Sequence, residues 1–566
     1  MIAPGRVSTY NASVVKASAA LVVLATALLV VSAGSAATRD VGAPAGKVYT
    51  VAFASNSLPA NVDKLVAAAG GTIVVRLPEI GGICVLSSNP SFAATMSASA
   101  SVAAAERSTP TSVPPTDAGA YSAAAVAQAQ AAVDTLRTRH HRGGHGGGGS
   151  GAGADPQPEP DDLGSEQWDK MRMNVSLTGS YAVNRGRPEV RVAFTDTGVD
   201  QTHPDIQANL DVADSASFVT NALLPDGTPI VAEPTIQDFN GHGTWTASAV
   251  AAPINGVGIS GVAPNVSIVE LKTQDMFGNG LLLWFDQALL YAAARHVDIV
   301  SSSIDSYAQK CPNGDEDKKQ TCDGADYVLA RRAVKYARDN GVLTIAAMGN
   351  DNLDLADAKT LTNDVFGVPG VVEVPGGLPG VVGVSATGYA NQKTYYSNYG
   401  QGIVDVAAPG GDPNLQKPPP FDPATGSGYF FRGELVGAWS STAQHAPRIT
   451  VDDCGPPAPC YYAGLHGTSM ATPNAAGVAA LIVSKFGDFS GTGRGRWHMN
   501  PDRVEQALES SANAQACPDP RTITYAVPPG LFVFNYATCQ GGRGENGFFG
   551  SGIVNAVSAL TANVRG

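Results

Sequence analysis

Residues 47–108 alternate between strand-like and helix-like patterns of apolar positions. Short apolar or alternating runs predict strands at Val48–Ala54, Thr72–Leu77, Ile83–Ser87 and Val102–Ala105, and apolar residues three or four apart predict helices at Ala60–Ala69 and Pro90–Ala98. The order strand, helix, strand, strand, helix, strand predicts a small α+β unit of the ferredoxin-like kind.

A longer region begins after Trp168 and alternates strands with helices. Strands are predicted at Val190–Thr195, Ser267–Lys272, Ile299–Ser303, Val342–Ala347, within Val371–Ala386 and at Ile403–Ala407, and helices at Leu281–Arg295 and Tyr327–Asn340. This alternation predicts an α/β three-layer sandwich in which helices cover a mostly parallel central sheet. Between the two regions, residues 109–164 are rich first in Ala and then in Gly and Pro, which predicts a helix followed by a linker.

The composition excludes some classes of partner. The 566 residues carry a formal net charge of -13 at pH 7. Nucleic acids and anionic membranes are bound by clustered Lys and Arg, so the acidic balance argues against both. The apolar run Ala17–Val31, followed by small residues up to Ala37, predicts a signal peptide over residues 1–36 and export without a stable membrane anchor.

Six of the seven cysteines fall into three local pairs: Cys311 with Cys322, Cys454 with Cys460, and Cys517 with Cys539. In a protein exported to an oxidising compartment, this arrangement predicts three local disulfides, although the sequence alone allows other pairings. No Cys-x-x-Cys pair or His cluster lies near them, so zinc is not predicted. Cys84 stands alone in the N-terminal unit.

Three short segments carry an acid, a base and a nucleophile, in that order along the chain. Asp196 follows the strand Val190–Thr195, His242 lies between two glycines, and Ser469 precedes small residues that predict a helix. Acyl transfer by serine needs a hydroxyl, an imidazole that takes its proton and a carboxylate that orients the imidazole. A serine at a helix N-terminus also offers a free N–H to a developing oxyanion.

The sequence around these residues resembles the motifs of subtilisin-like serine proteases. The matching stretches are Asp196–Asp205, Asn240–Thr244 and Gly467–Pro473, and the resemblance covers about residues 165–562. It implies a catalytic triad of Asp196, His242 and Ser469. Met348-Gly349-Asn350 is similar to a family segment whose asparagine side chain donates to the oxyanion, which implies an oxyanion hole formed by Asn350 and the N–H of Ser469.

The same resemblance predicts where a substrate binds. The backbone strands that pair with an extended peptide in the family correspond to Gly278, Asn279, Gly280, Ser301, Ser302 and Ser303. Where the family commonly has Ser-Leu-Gly-Gly, this chain has Ser303-Ile304-Asp305-Ser306. Asp305 and Asp351 together predict a preference for a basic substrate side chain, unless they face solvent. The insertions at 305–326 and 410–464 either wall the cleft or form inert surface loops.

The position of the N-terminal unit implies a zymogen. By resemblance to subtilisin-like zymogens, residues 47–108 are an inhibitor and folding propeptide that is later removed, and residues 165–562 are the peptidase domain. The alternative for residues 47–108 is an independent binding module. The implied product is a secreted, extracellular and monomeric enzyme that hydrolyses protein or peptide substrates. It needs no cofactor for catalysis, and structural calcium is frequent in the family although no acidic loop identifies a site.

Two other functions compete with this interpretation. A secreted binding protein that keeps the protease fold but lacks activity is the alternative, yet none of the four catalytic positions is lost. A secreted esterase is expected to show Gly-x-Ser-x-Gly and the triad order Ser, acid, His. Neither feature occurs in this chain.

Overall fold

The computed structural model describes residues 46–113, 130, 161–310, 324–420, 428–429, 431–443, 449–451, 454, 459–489, 496–528 and 530–562. All of these residues belong to one compact unit that spans 43–566. The predicted signal peptide and nearly all of the predicted linker lie outside the described residues.

The N-terminal part of the described chain is an antiparallel sheet covered by two helices. Its strands are Lys47–Phe53 (β1), Gly71–Leu77 (β2), Gly82–Ser87 (β3) and Val102–Arg107 (β4), in the order β2-β3-β1-β4, and its helices are Val62–Ala68 (α1) and Phe92–Ser97 (α2). Val51, Ile83, Phe92 and Met96 pack together between sheet and helices, where burial of their apolar surface stabilises the unit. The next strand, Pro110–Ser112 (β5), leaves this sheet and pairs with a strand of the larger domain.

The larger domain is built on a seven-stranded parallel sheet with the order β17-β16-β14-β12-β6-β10-β7. Its strands are Arg191–Thr195 (β6), Ala216–Ser217 (β7), Ser267–Lys272 (β10), Ile299–Ser302 (β12), Leu343–Ala347 (β14), Val381–Thr387 (β16) and Val406–Pro409 (β17). The remaining strands pair outside this sheet: Ala222–Leu223 (β8), Pro229–Ile230 (β9), Asn279–Leu281 (β11), Ser306–Gln309 (β13), Val371–Val374 (β15), Leu435–Trp439 (β18), Ile449–Val451 (β19), Cys460–Leu465 (β20), Thr522–Thr524 (β21) and Tyr536–Thr538 (β22).

Helices cover both faces of the parallel sheet. They are Trp168–Arg172 (α3), Ser180–Val183 (α4), Pro204–Gln207 (α5), His242–Ala251 (α6), Leu282–Ala294 (α7), Ala325–Asp339 (α8), Ala358–Thr360 (α9), Thr468–Phe486 (α10), Pro501–Ser510 (α11) and Ala556–Thr561 (α12), with a 3-10 turn at Gly164–Glu166 and a π turn at Leu361–Phe366. Val192 and Phe194 of β6 point into the core shared with α6 and α10, whereas Ala193 points into the core shared with α7 and α8. This alternation between two cores confirms the predicted three-layer α/β sandwich.

Two predicted strands differ in the structure. Val371–Ala386 contains two strands, β15 and β16, because Pro375, Gly376 and Gly377 interrupt the apolar run. The strand predicted at Ile403–Ala407 begins only at Val406, since the side chain of Asp405 accepts a hydrogen bond from the N–H of Gly383 at this point.

The N-terminal sheet packs on α8. Arg332 donates from Nη1 to the carbonyl oxygens of Phe53 (2.9 Å) and Ile80 (3.0 Å). The N–H of Asp326, in the first turn of α8, donates to Glu106 Oε1 (2.8 Å). These contacts hold the end of β4 at the start of α8, and they direct β5 towards the carboxyl edge of the parallel sheet.

Candidate active site

Asp196 and His242 meet at the carboxyl end of β6. Asp196 directly follows the last residue of β6, and His242 begins α6. Their side chains are both 1% exposed, and His242 Nδ1 lies 2.7 Å from Asp196 Oδ1. A carboxylate at Nδ1 favours the imidazole tautomer with its proton on that nitrogen, which leaves Nε2 as a proton acceptor.

Two further donors hold the Asp196 carboxylate. The N–H of Thr197 donates to Oδ1 (2.7 Å), and the hydroxyl of Thr246, one turn into α6, donates to Oδ2 (3.0 Å). Both bonds stabilise the charged form and fix the plane of the carboxylate. Thr246 lies outside the matching stretch Asn240–Thr244, so the sequence did not predict its contact with Asp196.

Ser469 lies at the start of the buried helix α10. Its side chain is 2% exposed, and its hydroxyl donates to the carbonyl oxygen of Ser303 (3.2 Å), while the hydroxyl of Ser303 donates to the carbonyl oxygen of Ser469 (2.9 Å). His242 Nε2 has no hydrogen-bond partner among the described residues. In the structure, the Ser469 hydroxyl is therefore hydrogen-bonded to the Ser303 carbonyl. Proton transfer to His242 requires this hydroxyl to rotate towards Nε2.

Asn350 follows β14 and reaches the first turn of α10. Its Oδ1 accepts hydrogen bonds from the N–H (2.8 Å) and the hydroxyl (3.0 Å) of Thr468. Because its oxygen is held in this way, the Nδ2 hydrogens remain as donors beside the N-terminus of the helix that carries Ser469. Thr468 therefore positions the side chain for which the sequence predicted an oxyanion role.

Gly278, Asn279 and Gly280 pair with β5. The register places Asn279 opposite Ser112 and Gly280 opposite Thr111 in an antiparallel ladder, and the N–H of Val113 donates to the carbonyl oxygen of Gly278 (2.9 Å). Gly278 has a φ of +81°, and a Cβ there would lie 2.5 Å from Val113 Cγ2. Glycine is required both by the backbone conformation and by this close approach.

The other segment predicted to pair with substrate lies inside the central sheet. Ser301 and Ser302 lie inside the parallel sheet, where β12 pairs with β6 on one side and with β14 on the other. Their backbone groups are therefore not at a free edge. The residue that pairs with β5 is Asp305, whose N–H donates to the carbonyl oxygen of Ser112 (3.1 Å) and whose carbonyl oxygen accepts from the N–H of Ser112 (3.2 Å).

The insertion at 410–464 packs behind the histidine helix. Trp245 of α6 is buried, and its indole N–H donates to the carbonyl oxygen of Ala463 in β20 (3.0 Å). A Cβ at Gly241 would lie 2.3 Å from the ring of Trp439 in β18. The insertion therefore supports the residues on both sides of His242.

Two of the three predicted disulfides lie within the described residues. Disulfides join Cys454 to Cys460 and Cys517 to Cys539, Cys84 is a buried thiol, and Cys311 and Cys322 lie outside the described residues. Within the described ranges, no three or more His, Cys, Asp or Glu side chains are grouped to hold a metal ion, and no helix is long and apolar enough to cross a membrane.

The comparison with protein families identifies the class of this chain. The Subtilase family model, Peptidase_S8, matches residues 187–552, which include all the residues of the site described above except those of β5. The chain belongs to the subtilase family.

Characterised relatives match part of the chain. It is 31% identical over 296 residues to alkaline elastase YaB of Bacillus sp. (strain YaB), covering 52% of this chain and 54% of that protein. It is 29% identical over 296 residues to subtilisin E of Bacillus subtilis (strain 168), covering 52% and 56%. The chain thus spans about half the length of the curated relatives it matches.

Solved structures share the fold. The epidermin leader peptide processing serine protease EpiP of Staphylococcus aureus has a TM-score of 0.58 at 20% identity, covering 91% of this chain and 98% of that chain. Fervidolysin of Fervidobacterium pennivorans has a TM-score of 0.55 at 19% identity, covering 92% and 61%. At this identity the likeness concerns the fold alone.

Proposed function

We propose that this protein is a secreted serine endopeptidase in which Asp196, His242 and Ser469 form the catalytic triad. The observation that carries the proposal is the buried 2.7 Å contact between His242 Nδ1 and Asp196 Oδ1 at a strand end. The helix α10, which carries Ser469 in its first turn, packs against the histidine helix α6. Membership of the subtilase family supports the same chemistry.

The proposed reaction proceeds through an acyl-enzyme. The hydroxyl of Ser469 transfers its proton to His242 Nε2 and attacks the peptide carbonyl, and the imidazolium is stabilised by Asp196. The oxyanion accepts hydrogen bonds from Asn350 Nδ2 and from the N–H of Ser469. His242 then protonates the leaving amine. In the second half of the reaction, His242 takes a proton from water, the water attacks the ester, and Ser469 leaves and regains its proton from His242. The groups that transfer protons, attack the carbonyl and stabilise the oxyanion in the first half of this cycle all belong to the protein, and calcium has no part in it.

The experiment that tests this function is hydrolysis of fluorescein-labelled casein by the purified secreted chain. Hydrolysis that disappears after pretreatment with a fluorophosphonate supports the proposal. Absence of hydrolysis after removal of residues 1–113 argues for the alternative, a binding protein with the protease fold.

Residues 47–113 are proposed to inhibit the enzyme before it matures. β5 lies between Gly278–Leu281 and Asp305 as an added strand, and Val113 is only 4% exposed in the cleft. A substrate that binds by main-chain pairing needs the same edge of β11 and the same groups of Asp305. The N-terminal sheet and its contact with α8 hold this segment in place, so substrate and β5 compete.

Replacing Ser112 by Pro is expected to expose the active site of the unprocessed chain. Proline removes the N–H that donates to the carbonyl oxygen of Asp305 (3.2 Å). Loss of that hydrogen bond should raise the rate of fluorophosphonate labelling of the full-length band about tenfold. The control Ser112→Ala keeps the N–H and should label like the wild type. Equal rates for all three chains would contradict inhibition by β5.

The docking of the N-terminal unit is expected to weaken as pH rises. Burial, followed by the charge of Asp326, raises the pKa of Glu106 from 4.5 to about 8. The docked unit therefore favours protonated Glu106, so docking is strongest below pH 4.5 and is lost progressively as pH rises through about 8. After cleavage of the linker, size-exclusion chromatography at pH 5 and pH 9 should show retention and release of the N-terminal fragment.

Glu106→Gln stays neutral at every pH and should make this retention independent of pH. Glu79→Gln is the control, since Glu79 is exposed on the N-terminal unit. A fragment of the Glu106→Gln chain that still leaves between pH 5 and pH 9, as the wild-type fragment does, would show that another group controls release.

A further inference from the structure

Three carboxylates beside the catalytic serine have no role in the reaction proposed above. They belong to Asp305, Asp351 and Glu373, and we call them the acidic recess. Asp305 lies at the cleft edge, where it pairs with Ser112. Asp351 directly follows Asn350, and Glu373 lies in β15. The antiparallel pairing of β13 with β15 brings Glu373 to this place from a distant part of the sequence.

Asp305 points into the gap between its own segment and residues 347–350. Gly349 has a φ of +90°, and a Cβ there would lie 3.2 Å from Asp305 Oδ2 and 2.5 Å from Asn398 Nδ2. Glycine at this position leaves the carboxylate room beside the backbone that leads to Asn350.

Glu373 is the most deeply buried of the three carboxylates. Its side chain is 2% exposed, and its Oε2 accepts a hydrogen bond from the N–H of Gly377 (2.6 Å). A Cβ at Gly376 would lie 2.4 Å from the carbonyl oxygen of Ala347 and 2.8 Å from Glu373 Oε2, which places the carboxylate beside the end of β14. Its second oxygen, Oε1, is buried and has no hydrogen-bond partner among the described residues. This oxygen is therefore available to accept a hydrogen bond from a bound ligand.

Tyr307 holds Asp351 at the open end. The hydroxyl of Tyr307 donates to Asp351 Oδ2 (2.6 Å) and accepts a hydrogen bond from Asn398 Nδ2 (2.9 Å). Asp351 itself is exposed, so it lies at the mouth of the recess, whereas Glu373 lies at its base.

The charges of the recess are not balanced within the described chain. None of its carboxylates forms an ion pair with a described Lys, Arg or His. Burial raises the pKa of Asp305 to about 7, and the charge of Asp351 adds to this effect. Burial and the charge of Asp305 raise the pKa of Glu373. Burial and mutual repulsion disfavour the charged forms of these carboxylates, and a bound cation would favour them by supplying the opposite charge.

The recess lies where the side chain of the attacked residue must go. Ser303, two residues before Asp305, accepts the hydrogen bond of the Ser469 hydroxyl, and Asn350 immediately precedes Asp351. Consider a substrate whose backbone follows the path of β5 and whose attacked carbonyl lies between Ser469 and Asn350. The side chain of the attacked residue then points between the segment that contains Asp305 and the segment that contains Asp351. We propose that the acidic recess is the primary specificity pocket and that it binds the arginine or lysine side chain of the residue whose carbonyl is attacked.

This inference rests on the proposed endopeptidase activity, and one set of substrates separates the two. The substrates are succinyl-Ala-Ala-Pro-Xaa p-nitroanilides with Arg, Lys, Leu or Phe as Xaa, assayed with the mature enzyme. We expect kcat/KM for the Arg and Lys substrates to exceed that for Leu and Phe by ~100-fold. Equal values, or a preference for Leu or Phe, overturn the inference and leave the endopeptidase intact. No hydrolysis of any substrate by a folded, mature enzyme overturns both.

Neutral variants test the roles of the individual carboxylates. Glu373→Gln and Asp305→Asn should each lower kcat/KM for the Arg substrate at least ~30-fold, because one carboxylate partner of the cation is lost, with no similar loss for the Leu substrate. Asp351 lies at the exposed mouth, so Asp351→Asn changes no buried contact. If the buried variants do not fold, this variant tests the ratio of kcat/KM for the Arg substrate to that for the Leu substrate. Asp405→Asn is the matched control. Asp405 is half-buried like Asp305, and burial likewise raises its pKa to about 7. It lies immediately before β17, at the end of the strands opposite to the end that Asp305 follows.

The pH dependence of the substrate ratio gives a second readout. Asp305 must be ionised to attract a cation, so the ratio of kcat/KM for Arg to that for Leu should rise as pH increases through about 7, while pH effects on the acyl-transfer steps common to both substrates cancel in the ratio. Asp351, Glu373 and Tyr307 are the other titratable groups around this carboxylate. The rise should disappear in Asp305→Asn. A loss of activity by that variant on both substrates alike, with the wild-type pH profile retained, would show a structural role and overturn the inference.

Discussion

Replacing Ser469 by Ala is expected to lower kcat for peptide hydrolysis by about 10⁶-fold. The variant lacks the oxygen that attacks the carbonyl, and the neighbouring hydroxyl of Thr468 is occupied by its hydrogen bond to Asn350 Oδ1. Because the side chain is small and buried, its loss should leave the fold intact. The measurement is hydrolysis of a p-nitroanilide substrate by the mature enzyme, with circular dichroism to verify folding.

The control for this variant lies in the same helix. Ser484 of α10 is also buried, and its hydroxyl donates to the carbonyl oxygen of Ala480 (2.7 Å). Ser484→Ala makes the same chemical change away from the site and should retain activity. If Ser469→Ala keeps substantial activity in a preparation free of other proteases, Ser469 is not the nucleophile.

Asp196→Asn is expected to lower kcat by about 10⁴-fold. Asn keeps the shape of the side chain, but its amide can donate to His242 Nδ1 and so favours the tautomer that carries the proton on Nε2. That tautomer cannot accept the proton of Ser469. The Asn side chain also cannot stabilise the imidazolium that forms during attack, so both effects act on the transition state.

Steady-state kinetics of the mature Asp196→Asn enzyme measure this effect. Asp339→Asn is the control, because Asp339 is an exposed carboxylate at the end of α8. Thr246→Val removes only the donor to Asp196 Oδ2 and should have a much smaller effect than Asp196→Asn. A wild-type kcat for the Asp196→Asn enzyme would show that Asp196 is not part of the triad.

Much of the fold was predictable because its strands are local apolar runs. Ser267–Lys272 has the predicted limits, and β14 begins one residue later than predicted. The prediction failed where polar or turn-forming residues interrupt such runs, as at Asp405 and Pro375. Whether an apolar run forms one strand or two depends on partners elsewhere in the chain, such as the pairing of β15 with β13.

The candidate site was predictable only where its residues lie in compact motifs. The segments around Asp196 and His242 suggested a contact between the two residues, and the structure places them 2.7 Å apart. Glu373 was missed, because its place in the site depends on the long-range antiparallel pairing that sets it opposite Tyr307. The only local signal was an acidic residue within the apolar run 371–374. Asp305 was noted as a departure from the family motif, but its backbone pairing with Ser112 required the structure.

The most direct test of the central claim is to label the secreted protein with a fluorophosphonate and to locate the label by peptide mass spectrometry. We expect one labelled site, Ser469, with no labelling of Ser469→Ala. This result would show that the serine at the start of α10 is activated as a nucleophile. A label on another residue, or no label on folded protein after removal of residues 1–113, would contradict the proposed catalytic triad.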